Sequence, residues 1–399
     1  MKREGFFVSI GAGTQQLPLI QACKLMGIKV ISIDKNPSAP GFKLSDIKII
    51  ESITEYRKIY NKLLGLTSYE PIIGIGCRSY GKATYTASYL VEKFKLIGNK
   101  SEVIQKFSDK KSIKNYLAKF GVPIPKQFNI NPNATKSKGI AFPCIFKPSD
   151  GAGKQGIELF DSFSPLKKKI LLYHEKNQPY FVEEFIPGLE ITILGFVYNG
   201  KFYYVSVSDK ITSGFPPFLE ICHKLPCSHQ NLIGELKLVC QTIVEALKLE
   251  NSPFVAEFKI TDKKQFYLME IVPEIGGEYL AEHLVKEFYD YDYFENYVKL
   301  MIGDKPDFNQ IHHNGKNKYH NSQIYFVTPP QGKSKFLGMK RFVPERNERV
   351  FLDIPLKKEG SIVNTKDGNS CRIKVLGISD CQYTNTVPNI EKRIEVQFE

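Results

Sequence analysis

The chain has 399 residues, which at roughly 150 residues per domain suggests two or three domains. A hydrophobic fraction of 42% and an aromatic fraction of 12% supply enough apolar surface for sizeable cores, which excludes a disordered or fibrous chain. Lys plus Arg number 55 against 42 Asp plus Glu, a net charge of +13. That balance admits a nucleic acid, an anionic membrane or a phosphorylated small molecule as partner, and chooses none of them.

No stretch approaches the ~18 uninterrupted apolar residues of a membrane helix, so no membrane partner is expected. The opening Met1-Lys2-Arg3 and the apolar run after it carry a faint export-signal flavour, but the run breaks at Thr14-Gln15-Gln16 without a convincing cleavage site. It reads as the first strand of a cytoplasmic protein. Segments 6–10, 29–33 and 71–77 are strand-like. A helix-compatible stretch carries Leu17, Ile20 and Leu25, and another spans 82–94. Strands separated by helices imply a parallel sheet covered on both faces, an α/β domain over residues 1–98. After its first strand comes Gly11-Ala12-Gly13, and Asp34 follows the second. These are fragments of a dinucleotide fingerprint, but Gln16 holds the third glycine position, so the segment reads as a sharp strand-to-helix turn.

From residue 99 the pattern changes. Ile113, Tyr116, Leu117 and Phe120 form one helical face ended by Gly121 and Pro123. Extended segments follow at 142–147, 180–185, 190–198 and 202–207, then a helix whose apolar stripe runs from Leu232 to Leu247 through Cys240. This α+β block spans 99–305. Residues 306–320 read as a polar linker whose His312, His313 and His320 are solvated rather than metal-bound. Short extended segments at 324–327, 349–352, 361–363 and 373–377 then imply a small β-rich C-terminal domain over 321–399. The eight cysteines (23, 77, 144, 222, 227, 240, 371 and 381) include no Cys-x-x-Cys pair. Cys222, His223, Cys227 and His229 lack the second half of a zinc finger, so the thiols read as reduced and structural.

Three segments carry chemistry. In Phe142-Pro-Cys-Ile-Phe-Lys-Pro-Ser-Asp-Gly-Ala-Gly-Lys-Gln-Gly156 a strand ends in Lys147 and a loop follows with Gly151, Gly153 and Gly156. Glycines let backbone N–H groups approach phosphate oxygens closely, and Lys147 and Lys154 add positive charge. The Gly-Lys-Ser/Thr ending of a Walker loop is absent, and an ordinary surface turn is the competing reading. Second, Phe254, Ala256, Phe258 and Ile260 point to one face of a strand and Val255, Glu257 and Lys259 to the other. A turn centred between Lys263 and Lys264 sets Glu257 opposite Glu270, with Cβ atoms about 5 Å apart. Facing like charges cost roughly 0.2–1 kcal/mol unless bridged, and Mg²⁺ is the natural bridge, holding carboxylate oxygens and leaving positions for phosphates. Glutamates splayed into water are the alternative. Third, Tyr180-Phe-Val-Glu-Glu-Phe-Ile-Pro-Gly-Leu-Glu190 is an apolar strand ending in acids, followed by a turn.

In this order the segments resemble the ATP-grasp superfamily, in particular the branch of carbamoyl-phosphate synthetase and biotin carboxylase. The resemblance rests on Asp109-Lys110, Lys147 with its glycine loop, Glu183-Glu184-Phe185-Ile186 with Glu190, and Glu257 with Glu270, and it spans essentially residues 1–300. It implies that Lys110 and Lys147 neutralise ATP phosphates and that the 151–156 loop, with Gly151, Gly153, Lys154 and Gly156, closes over them. It implies that Glu183, with the backbone of Glu184 and Ile186, reads the adenine edge, that Glu190 holds the ribose, and that Glu257 and Glu270 carry Mg²⁺ (or Mn²⁺). The implied reaction is attack of a carboxylate on the γ-phosphate, then capture of the acylphosphate by an amine or thiol. Catalysis of that kind is positioning plus charge neutralisation.

The sequence departs from the branch after the second metal glutamate. Asn-Pro-Arg is usual there; this chain has Val272-Pro273-Glu274. Val272 cannot ligate a metal, and Glu274 reverses the charge of a cation that often binds an anionic substrate. Glu274 or Glu278 joins the metal shell, or the site welcomes a cationic amine, or activity is reduced. Arg78, at the end of a strand, is the candidate to hold a substrate carboxylate in two bonds, and Lys210 a candidate for the γ-phosphate or the substrate. The expected partners are a small carboxylate and an amine, with no nucleic acid and a possible homodimer. A biotin-carboxylase-like carboxylase and a non-catalytic ATP-binding regulator are the competing functions.

Overall fold

The computed structural model describes residues 4–133, 137, 139–149, 153–214, 216–308, 319–380 and 390–399. Gly151, His312, His313 and Cys381 lie outside the described residues, as does most of the expected linker. The architecture is mixed α/β, built on an N-terminal parallel sheet and two antiparallel sheets that face a common cleft.

The parallel sheet orders its strands as Ile47–Ile50, Lys29–Asp34, Phe6–Ile10 and Ile72–Cys77. Continuous apolar runs such as Phe6-Phe7-Val8-Ser9-Ile10 are buried throughout because helices cover both faces. Leu17–Leu25 packs on one side with Phe7, and Tyr56–Leu64 and Lys82–Lys93 pack on the other with Val8 and Ile10. Asp34 accepts the Ala12 N–H at 3.0 Å. In this fold its carboxylate ties down the Gly11–Gly13 turn.

A small antiparallel sheet runs Gln127–Phe128, Tyr180–Glu184, Cys144–Pro148, Glu158–Phe160. The central sheet has eight strands: Phe266–Val272, Ser252–Ile260, Leu189–Tyr198, Lys201–Thr212, Glu220–Leu225, Asn321–Val327, Lys374–Asp380 and Glu348–Pro355. The helix Ile233–Leu247 buries Leu236, Cys240, Ile243, Val244 and Leu247 against the face carrying Phe254, Ala256 and Phe258, each large side chain contributing roughly 1.5–3 kcal/mol. The C-terminal strands are therefore not a free-standing layer. Asn321–Val327 pairs with Glu220–Leu225, and Phe326, Leu352 and Val375 share a core with Phe7, Leu194 and Tyr293. The seven described cysteines are buried and unbridged. Among the described residues no helix is long and apolar enough to cross a membrane.

Candidate functional site

The small sheet and the central sheet enclose a cavity of about 210 Å³. Its apolar lining includes Ile145, Phe181, Phe185, Ile186, Met269 and Ile271, and its cationic lining Lys110, Lys114, Lys147, Lys154, Lys210 and Lys259. Lys147 is the penultimate residue of the strand Cys144–Pro148, and the alternation of that strand aims it across the cleft. Asp109 caps the helix Lys110–Ala118 by accepting the Lys111 and Ser112 N–H groups. Lys110 and Lys114 thus lie one turn apart on the same face.

Beneath these cations lies Glu183, 0% exposed. Its carboxylate is shared by Lys114, at 2.8 Å, and Lys147. Burial by itself would raise its pKa, but the two ammoniums outweigh that and hold it at about 2. Lys114 shifts the opposite way for a pair: burial lowers it to about 8, since Glu183 must also serve Lys147, whose charge repels Lys114. Glu190 repeats the arrangement between Lys154, at 3.1 Å, and Lys259, at 3.4 Å, and its pKa also falls to about 2 against the effect of burial.

At the other end Glu257 faces Glu270 across the hairpin, and the route to this pairing differs from the expected one. Near the turn the partners are Ile260–Phe266, Lys259–Tyr267 and Phe258–Leu268, so an unbroken ladder would set Glu257 against Met269 and Glu270 against the inward-facing Ala256. A bulge at Met269 shifts the register by one residue and turns Glu270 to the cleft face. Lys110 contacts Glu270 at 2.8 Å. Lys210, 1% exposed, lies 2.5 Å from both Glu257 and Glu220. Burial, with Glu270 and Glu220 adding repulsion, still raises the Glu257 pKa, whereas Lys110 carries Glu270 downward against burial.

Of the residues singled out by sequence, Lys110, Lys147, Gly153, Lys154, Glu184, Ile186, Glu190, Lys210, Glu257, Glu270, Val272 and Glu278 line the cavity. Gly156 follows the loop at φ +71. Glu183 lies below the cavity lining, bound to the two lysines. Glu274 does not line the cavity: it accepts bonds from Thr84 Oγ1 at 2.6 Å and the Gly81 N–H at 3.2 Å in the N-terminal domain, and burial raises it to about 7. Arg78 is also elsewhere. Only 4% exposed, it pairs with Glu282, donates to the Gln15 carbonyl at 2.8 Å and covers the Phe294 ring. Its guanidinium is committed inside the fold because the strand Ile72–Cys77 delivers it beneath the 280–284 segment.

Sequence reasoning missed Lys114, Glu220 and Asn369. Lys114 had a signal, the i, i+4 spacing from Lys110; Glu220 reaches the cavity through strand order, and Asn369 through the turn Thr365–Cys371. The Cys/His segment splits. His223 and Glu278 stand 3.4 Å apart with Glu220 nearby, while Cys227 and His229 group with Asp209. In each trio the potential donor atoms lie within 4.8 Å of one another.

Residues 140–282 match the ATP-grasp domain family. The large chain of carbamoyl phosphate synthase from Clostridium botulinum is 24% identical over 204 residues, covering 47% of this chain and 18% of that one. Biotin carboxylase from Haemophilus influenzae is 24% identical over 214 residues, 48% of each chain. This chain thus matches less than a fifth of the first relative and about half of the second. The crystal structure of an L-amino acid ligase from Bacillus licheniformis superposes with a TM-score of 0.80 at 16% identity, covering 100% of both chains. The chain carries an ATP-grasp domain and has the ATP-grasp fold.

Proposed function

We propose that the protein is an ATP-dependent ligase that activates a small carboxylate as an acylphosphate and transfers the acyl group to an amine or thiol, with release of ADP and phosphate. The observation that carries this reading is the convergence of Lys110, Lys147 and Lys154 with the facing Glu257 and Glu270 on one cavity with an apolar end. Ile145, Phe181, Phe185 and Ile186 form the adenine slot, with the backbone of Glu184 and Ile186 at its edge, and Glu190 accepts from the ribose hydroxyls. Glu183 acts one layer down, holding Lys147 and Lys114 charged and aimed.

Glu257 and Glu270 suit Mg²⁺ or Mn²⁺: two hard oxygen donors face each other in the pleat, and burial, with the neighbouring carboxylates, destabilises Glu257 as an anion. A metal held there would neutralise phosphate oxygens. The substrate carboxylate oxygen attacks the γ-phosphorus and the bond to the β–γ bridging oxygen breaks, freeing ADP. The neutral amine then attacks the acyl carbon, the acyl carbon–oxygen bond breaks, phosphate leaves, and the amine gives up its proton. Lys110, Lys147 and Lys210 hold charge on the transferring group in place, and no side-chain nucleophile is needed.

Val272 and Glu274, in the usual places of Asn and Arg, favour a second reading: an ATP-binding regulator without turnover. Phosphate release from Mg-ATP, measured over a matrix of amino acids, other carboxylates and amines with ADP followed in parallel, separates the two. The ligase reading expects carboxylate-dependent release enhanced by one amine. ATP binding with no release across the matrix overturns it in favour of the regulator.

A further inference from the structure

The ATP-grasp match ends at residue 282, yet one turn far beyond it touches the phosphate end of the cavity. Residues Thr365–Cys371 form a tight 3₁₀ segment broken at Gly368, whose φ of 62° and ψ of −146° belong to a region only glycine occupies at low cost. The reason is contact. A Cβ on Gly368 would lie 2.1 Å from the Gly153 carbonyl oxygen and 3.0 Å from the Gln155 nitrogen. The next residue donates its N–H to that carbonyl, Asn369 N to Gly153 O, at 2.8 Å, and Gln155 Nε2 reaches the Asp367 carbonyl at 3.3 Å.

The same asparagine faces the other way as well. Its Nδ2 donates to Glu220 Oε2 at 2.9 Å, and its Oδ1 accepts the Glu220 N–H at 3.2 Å. Arg372 braces the assembly, donating to the Asn369 carbonyl at 2.9 Å and to Glu220 at 3.1 Å. Glu220 in turn holds Lys210, which holds Glu257. A continuous polar chain therefore runs from the glycine loop through Asn369 to the facing glutamates, and Asn369 itself lines the cavity.

We infer that the Thr365–Cys371 turn belongs to the ATP site, with Gly368 and Asn369 as positioning residues that seat Gly153–Gln155 and so fix Lys154 against the nucleotide phosphates. Lys154 sits at φ +68, a conformation a non-glycine residue keeps only when its surroundings enforce it. The seat supplies that enforcement. The C-terminal strands carry the turn, so they complete a site whose nucleotide-binding segments all lie before residue 282. This rests on the ATP-binding reading above.

The test is a double-mutant cycle on ATP affinity, measured by calorimetry on the full chain, with Gly368→Ala, Lys154→Ala and the pair. The expected results are a loss on the order of tenfold for Gly368→Ala in the wild-type background and less than twofold when Lys154 is already Ala, because one residue acts through the other. Hydrogen exchange without nucleotide is read alongside: amides of 153–156 should exchange faster in Gly368→Ala. Asn369→Ala, which keeps the backbone and removes the Glu220 contacts, supplies the same cycle if Gly368→Ala does not fold. Losses that multiply independently, or unchanged exchange of 153–156, would overturn the inference. Wild-type protein that binds no ATP would instead overturn the ATP-binding reading, while the exchange experiment would still report on the seat.

Discussion

Glu270 faces Glu257 because one residue, Met269, is spare. The turn of this hairpin is centred on Lys263, and a regular ladder from it would drive Glu270 into the apolar layer beside Ala256. The bulge corrects the parity, and the two carboxylates meet on the wet face of the sheet. Bulges beside functional sites commonly re-aim a side chain in this way.

The pair should therefore bind a divalent cation. Glu270→Gln relieves the facing repulsion but forfeits the half-exposed Lys110 contact; the two effects are each about 1 kcal/mol or less and oppose. Metal-free stability should change by less than about 1 kcal/mol, while stabilisation by added Mg²⁺ in a thermal melt should vanish. Melts of both proteins across a Mg²⁺ titration check this.

Glu183→Gln should be far more damaging. It leaves Lys114 and Lys147 facing each other, one of them buried, without their shared carboxylate, a situation that costs about 3–5 kcal/mol. Lys114→Met in the same background should recover much of the loss. Urea denaturation of the wild type and both variants decides it.

Glu274 makes stability depend on pH. Its folded pKa of about 7 lies above the ordinary carboxylate value of 4.5, so between those limits the folded chain binds more protons than the unfolded one. This contribution is fully present below about pH 4.5 and is lost as pH rises towards 7. Glu274→Gln should flatten that decline and, at pH 8, exceed the wild type by roughly 1–2 kcal/mol after allowing for partial solvent screening. Stability curves at pH 5 and pH 8 measure the difference.

Much of this was legible in local pattern. The apolar runs at 6–10 and 71–77 announced the parallel sheet, and the alternation of 254–260 divided core from cleft correctly: Phe254 and Phe258 are buried under the helix Ile233–Leu247 while Glu257 and Lys259 line the cavity. Long-range placement was not legible. Arg78 ends a strand as expected, but its buried partner Glu282 lies 204 residues away. The C-terminal strands read as a small unit because hydrophobic alternation reports that a strand has a partner without naming it; the partner is Glu220–Leu225. Asn369 had no signal at all, since its role comes from a contact with a loop more than two hundred residues earlier.

On the proposed reading, Glu257 and Glu270 couple metal to nucleotide. The direct measurement is ATP affinity by calorimetry, with Mg²⁺ and with chelator, for the wild type and for the Glu257→Gln, Glu270→Gln double variant. Mg²⁺ should tighten ATP binding to the wild type on the order of tenfold or more and leave the double variant unmoved. Equal Mg²⁺ dependence in the two proteins would contradict it.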